Sequence, residues 1–128
     1  MTFPALRDSV SAPWFDGLAR GVLLLHRCRE CGHVSRPDVA SCPACRSDNL
    51  TWVPSRGTGC VVAAILDPNP DDPVVLGLVE LDEGPWLHVR LLGTSELVPI
   101  GTRVTLEIFR PGGGELVPSF RIDGAART

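Results

Sequence analysis

Residues 28–45 read Cys-Arg-Glu-Cys-Gly-His-Val-Ser-Arg-Pro-Asp-Val-Ala-Ser-Cys-Pro-Ala-Cys, and this stretch decides how the chain is organised. It holds two Cys-x2-Cys pairs, Cys28/Cys31 and Cys42/Cys45, separated by ten residues. Two residues between cysteines let both sulfurs face one point from a tight turn. A hairpin that brings two such turns together makes a tetrahedron of thiolates, which zinc prefers at Zn–S distances near ~2.3 Å. The gap between the pairs is shorter than the ~15–20 residues of one common version of the motif, but it is ample for a ribbon hairpin. The spacing therefore predicts a structural Zn²⁺ held by Cys28, Cys31, Cys42 and Cys45. Four sulfurs leave no position open for water or substrate, so such a site does no chemistry itself. Iron also fits a four-cysteine site and would carry a redox role; four free buried cysteines are the remaining reading. Four thiolates around a divalent cation leave a local charge of about −2, beside which Arg27, Arg29 and Arg46 sit in sequence. His33 follows Cys31-Gly32 and reads as a neighbour of the site, because four thiolates already suffice.

On the N-terminal side, Pro13 to Arg20 predicts a short helix: Pro13 suits a first helical turn and Gly21 suits the position just past the end. Trp14, Phe15 and Leu18 share one face of it. That is more apolar surface than so short an element hides alone, and it predicts an exposed interface patch. Gly17 weakens the helix. Val22 to His26 reads as a strand entering the first cysteine pair, and Leu50 to Val53 as the return strand.

From Gly57 onward the pattern is β. Strands are predicted at Cys60 to Leu66, Val74 to Leu81, Trp86 to Leu92, Arg103 to Arg110 and Leu116 to Ile122. They are separated by the proline-rich loop 67–73, the turn 82–85, the connection 93–101 and the glycine turn 111–115. Five short strands in about 65 residues match an OB-fold, a Greek-key barrel. The expected architecture is mostly β: an N-terminal helical segment (1–21), a rubredoxin-like zinc ribbon (22–56), a five-stranded OB-fold barrel (57–123) and a fraying tail (124–128).

The bulk composition excludes several function classes. Hydrophobic residues make up 44% and charged residues 21%, an ordinary globular balance. The formal net charge of −3 argues against a phosphate-gripping surface. Only Trp86 and Phe109 offer stacking platforms in the first four barrel strands, so a single-stranded nucleic-acid role is the weakest alternative. All twelve basic residues are Arg; GC-rich coding explains this without function, while Arg also suits bidentate contacts with phosphate or carboxylate. Residues 1–11 lack an apolar signal core, and the longest apolar run, Cys60 to Leu66, is far short of the ~20 residues that span a bilayer. The expectation is a cytoplasmic protein with no membrane partner, where paired cysteines hold metal rather than disulfides.

Other polar residues carry less. Cys60 lies in the apolar run GCVVAAIL and reads as a small buried hydrophobe. His26 and His88 are isolated on strands, and Glu80, Asp82 and Glu83 read as a solvated turn rather than an acid/base pair. No glycine-rich loop opens a helix, and no residue is assigned a catalytic role.

Three stretches together, PWFDGLARGVLLLHRCRECGH (13–33), SCPACRSDNLTWVPSRGTG (41–59) and VLGLVELDEGPWLHVRLLG (75–93), resemble a bacterial and archaeal family. It is the acyl-CoA-associated OB-fold family with a rubredoxin-like zinc ribbon, long filed as a domain of unknown function. The resemblance runs from Trp14 to Ile122. It implies a helix, ribbon and OB-fold, with the zinc ligands at Cys28, Cys31, Cys42 and Cys45. It also implies a non-catalytic accessory role beside a thiolase-like enzyme, a thiolase or an aldolase, acting on acyl-CoA thioesters in sterol side-chain or fatty acyl-CoA degradation. A hydratase is a further partner the family admits, but this chain is too short to carry the extra domain of hydratase-fused relatives. A freestanding acyl-CoA binding module is the alternative. One departure stands out: relatives often carry Gly directly after the fourth cysteine, where this chain has Arg46. A positive φ there would strain Arg by ~1 kcal/mol.

Overall fold

The structure is a computed structural model that describes residues 11–67, 74–109 and 116–123. The helix α1 (Ala12–Ala19) has a proline in its first turn. It closes through bonds from the N–H of Gly21 to the Leu18 carbonyl (2.9 Å) and from the N–H of Val22 to the Gly17 carbonyl (2.9 Å). Those bonds use Val22 to cap the helix, so the first strand, β1 (Leu24–Cys28), begins two residues later than the apolar run suggests and reaches Cys28 itself. β1 pairs antiparallel with β2 (Val34–Ser35) on one side and β3 (Leu50–Pro54) on the other. β2 is only two residues long, too short for its alternation to be read.

The second unit is a closed barrel of β4 (Thr58–Asp67), β5 (Val74–Leu81), β6 (Trp86–Leu92), β7 (Arg103–Phe109) and β8 (Val117–Ile122). The strand order is β4-β5-β6-β8-β7, with β4 closing on β7 through Thr58 to Cys60. Only β6 and β8 run parallel. This is the OB-fold expected from the five-strand count. A bulge between Val61 and Ala63 bends β4 so that one strand serves both β5 and β7. Asp67, the first residue of the predicted loop 67–73, instead ends β4; the rest of that loop, the predicted turn 111–115 and the tail 124–128 lie outside the described residues. Among the described residues no helix is long and apolar enough to cross a membrane.

The ribbon and the barrel share one core. Val61, Val75, Val79, Leu81, Val89, Leu91, Val104 and Phe120 fill the barrel, and Leu23 and Leu25 of the ribbon join them in a single cluster with Phe15 and Leu18 of α1. This corrects the expectation of an exposed helical patch, because Phe15 is 7% and Leu18 1% exposed. Their apolar face is covered by the chain's own β1 and β8, on which α1 packs. Gly17 also finds its reason there: a Cβ at that position would come within 2.8 Å of the Leu24 side chain.

Candidate metal centre and barrel cleft

The ribbon's two cysteine turns are built alike. In the first, the N–H of Gly32 donates to the Cys28 carbonyl (2.9 Å); in the second, the N–H of Arg46 donates to the Cys42 carbonyl (2.8 Å). Each turn is closed by a second bond, Cys28 N–H to the His33 carbonyl (2.9 Å) and Cys42 N–H to the Ser47 carbonyl (2.7 Å). The hairpin then brings the four sulfurs within 4.8 Å of one another. The Cys28 and Cys45 sulfurs are 3.5 Å apart, and those of Cys31 and Cys42 3.6 Å. A tetrahedron with bonds of ~2.3 Å has edges of ~3.8 Å, so these separations fit one ion. They are far beyond a disulfide's ~2.05 Å, and all four thiols are free.

The electrostatics call for a cation. The Cys28 thiol is drawn down to about 7, chiefly because the Cys31 backbone N–H donates to its sulfur, with the Glu30 N–H assisting. Cys45 behaves oppositely: the Ser47 N–H pulls it down, but the Cys28 thiol, burial and the Cys31 and Cys42 thiols outweigh this and push it up to about 12. Four adjacent thiols cannot all ionise without a positive charge between them. A divalent ion lets them do so. Cys28 and Cys42 are buried while Cys31 and Cys45 are exposed, so the cluster lies at one end of the ribbon, half-covered by it. His33 is exposed. His26, which sequence treats as isolated, stacks on its cross-strand partner Trp52 with ring centroids 3.8 Å apart. Burial holds the His26 imidazole below its ordinary pKa.

A carboxylate turn joins the ribbon to the barrel. Glu83 accepts hydrogen bonds from the Ser55 hydroxyl (2.9 Å) and the Arg56 N–H (2.7 Å). Asp82 accepts from the Thr58 hydroxyl and from Arg103 (3.1 Å), and Glu80 accepts from the Trp86 indole (2.8 Å). These three acids are exposed or half-buried, in keeping with the reading of a solvated turn, and each one also has a structural donor. Cys60 is half-buried on β4.

On the outer face of the barrel lies a cleft of ≈ 930 Å³, walled by β4, β5, β6 and β8, with Trp14 of α1 and Arg36 to Asp38 of the ribbon at its side. Arg36 is held by a two-point ion pair with Asp38. The register sets one row across this face: Ile65 opposite Leu76, Leu76 opposite Arg90, Arg90 opposite Ser119. Sequence reading did not find this row, because the neighbour relation between β6 and β8 is a parallel, non-local pairing.

The geometry is matched by comparison with known proteins. Residues 15–51 match the family model for the ChsH2 rubredoxin-like zinc ribbon domain, and residues 52–109 that for the ChsH2 C-terminal OB-fold domain. A chain in the solved structure of the Ltp2-ChsH2(DUF35) aldolase is 31% identical, with a TM-score of 0.78 over 92% of this chain and 98% of that one. The chain belongs to the ChsH2 family. The metal of a ChsH2 ribbon is a structural zinc, and four clustered cysteines are the donor set it requires. A DUF35-family protein of unknown function from Sulfolobus solfataricus, 15% identical, shares the fold with a TM-score of 0.66 over 90% of this chain and 86% of that one. No curated protein matches the chain.

Proposed function

We propose that this ChsH2-family chain is the non-catalytic accessory subunit of a thiolase-like acyl-CoA enzyme, a thiolase or an aldolase. The observation that carries the reading is the near end-to-end match to a chain of the Ltp2-ChsH2(DUF35) aldolase. Zinc is held by Cys28, Cys31, Cys42 and Cys45 and keeps the ribbon folded. A closed set of four thiolates can hold the ribbon's shape but has no coordination site for a substrate. The ribbon docks on the catalytic chain, and the barrel with its cleft helps frame the acyl-CoA site. The acyl groups are those of sterol side-chain or fatty acyl-CoA degradation.

The test is co-expression with the thiolase-like enzyme of the same host, followed by turnover of acyl-CoA thioesters with and without this chain. The reading predicts that the enzyme is inactive or unstable alone and active in the pair. Full activity of the enzyme alone would rule it out. Acyl-CoA binding by the chain, with no effect on any such enzyme, would favour a freestanding binding module.

A further inference from the structure

The four sulfurs of the metal centre are not equivalent. The first cysteine of each pair is the covered one, Cys28 and Cys42 each being 1% exposed, while the second, Cys31 or Cys45, faces solvent. The backbone repeats this division. The Cys28 sulfur accepts two N–H bonds, from Glu30 (3.4 Å) and Cys31 (3.5 Å), and Cys42 likewise accepts two, from Ala44 and Cys45. Among the described residues, Cys31 accepts one backbone bond, from His33, and Cys45 one, from Ser47.

A bound ion holds all four as thiolates, the form that reacts with electrophiles. Oxidation of such sulfurs follows exposure and thiolate character. Each accepted N–H bond also draws charge off the sulfur and blunts it as a nucleophile. Exposure and hydrogen bonding therefore select the same two sulfurs of the four. Each selected sulfur has a covered one beside it across the two turns: Cys45 lies 3.5 Å from Cys28, and Cys31 lies 3.6 Å from Cys42.

We propose that the zinc ribbon is a peroxide-sensitive modification site, in which Cys31 and Cys45 are the attacked sulfurs and Cys42 and Cys28 resolve them. The Cys45 thiolate displaces hydroxide from hydrogen peroxide, so an S–O bond forms as the O–O bond breaks. The Cys28 thiolate then attacks the Cys45 sulfur, and a second hydroxide leaves as the S–S bond forms. The two sulfurs give up two electrons, the peroxide accepts them, and two solvent protons convert the hydroxides to water. Cys31 and Cys42 follow the same course with a second peroxide. Two thiolates remaining after the first disulfide are too few to retain the ion, so zinc is released and the ribbon loosens. Both disulfides join the two turns, unlike the bond within a Cys-x2-Cys pair that a thioredoxin-type motif forms.

The test is treatment of the zinc-loaded full chain with hydrogen peroxide. Released zinc is read with a chromogenic chelator, and each cysteine, Cys60 included, is mapped by mass spectrometry. About one zinc per chain is expected to leave, and to be taken up again after dithiothreitol and added Zn²⁺. With dimedone present, the sulfenic-acid label is expected on Cys31 and Cys45 rather than on Cys28 and Cys42. Without it, the expected disulfides are Cys28 to Cys45 and Cys31 to Cys42. Zinc retained at peroxide doses that oxidise glutathione would overturn the proposal. So would label falling first on Cys28 or Cys42, or disulfides confined within each pair. Every readout is on the chain alone, so the result is separate from whether a thiolase-like partner is found.

Discussion

Arg46 occupies in the second cysteine turn the place that Gly32 occupies in the first, and it adopts the same left-handed backbone, φ 66° against 79°. Both residues directly follow the second cysteine of a pair and donate their N–H to the carbonyl of the first. Arg46 is the one non-glycine residue at positive φ among those described. The geometry of two adjacent thiolates dictates this conformation, and Arg tolerates it at a cost of roughly 1 kcal/mol. Arg46→Gly should therefore stabilise the zinc-loaded ribbon by no more than about 0.5 kcal/mol, the relief of strain less the added flexibility of the unfolded chain. Arg46→Val should destabilise it. Thermal unfolding of the zinc-loaded variants checks both.

Cys42 is 1% exposed, and its sulfur lies 3.6 Å from that of Cys31. Cys42→Ser should reduce bound zinc well below one per chain and unfold the ribbon, because metal binding and folding are one equilibrium in such sites. Metal analysis and circular dichroism measure the two effects together. A variant that lost zinc and kept a folded, partner-competent ribbon would contradict the structural role.

Leu18 belongs to a core that contains ribbon Leu23 and Leu25 and barrel Phe120, and its helix packs on β1 and β8. Leu18→Ala should cost about 2–5 kcal/mol, the usual range for a buried Leu-to-Ala cavity. A shared core also predicts that ribbon and barrel melt in one transition. Two separated transitions in calorimetry would show the units to be energetically independent.

Asp82 is held below the usual carboxylate pKa, first by the Thr58 hydroxyl and then by Arg103. A carboxyl whose folded pKa is depressed contributes stability above its unfolded value near ~3.9, and that contribution fades as pH falls through the folded pKa. Asp82→Asn should lower the melting temperature at pH 7, and the difference from the parent chain should shrink on acidification below about pH 4. An unchanged difference at acid pH would remove the charged form of Asp82 from the account.

Much of this was legible in the chain because the signals are local. The Cys-x2-Cys spacing places two turns, and alternation places β5 and β6 at Val74–Leu81 and Trp86–Leu92 as read. What alternation cannot say is which neighbour covers an apolar face. Phe15 and Leu18 were legible as one stripe, but β8, which closes over that stripe with β1, lies about a hundred residues away in sequence. Glu80, Asp82 and Glu83 were legible as a turn, while their donors Trp86, Thr58 and Ser55 follow only from strand pairing and the path of the linker. The cleft depends on the same kind of non-local fact, the parallel pairing of β6 with β8.

The most direct test of the central claim is isolation of the tagged chain from its native host, with metal analysis and identification of what co-elutes. The account predicts about one zinc per chain and a stoichiometric thiolase-like enzyme whose turnover of acyl-CoA thioesters depends on this subunit. A zinc-loaded chain that elutes alone, from a host whose thiolase-like enzymes are fully active without it, would contradict the account.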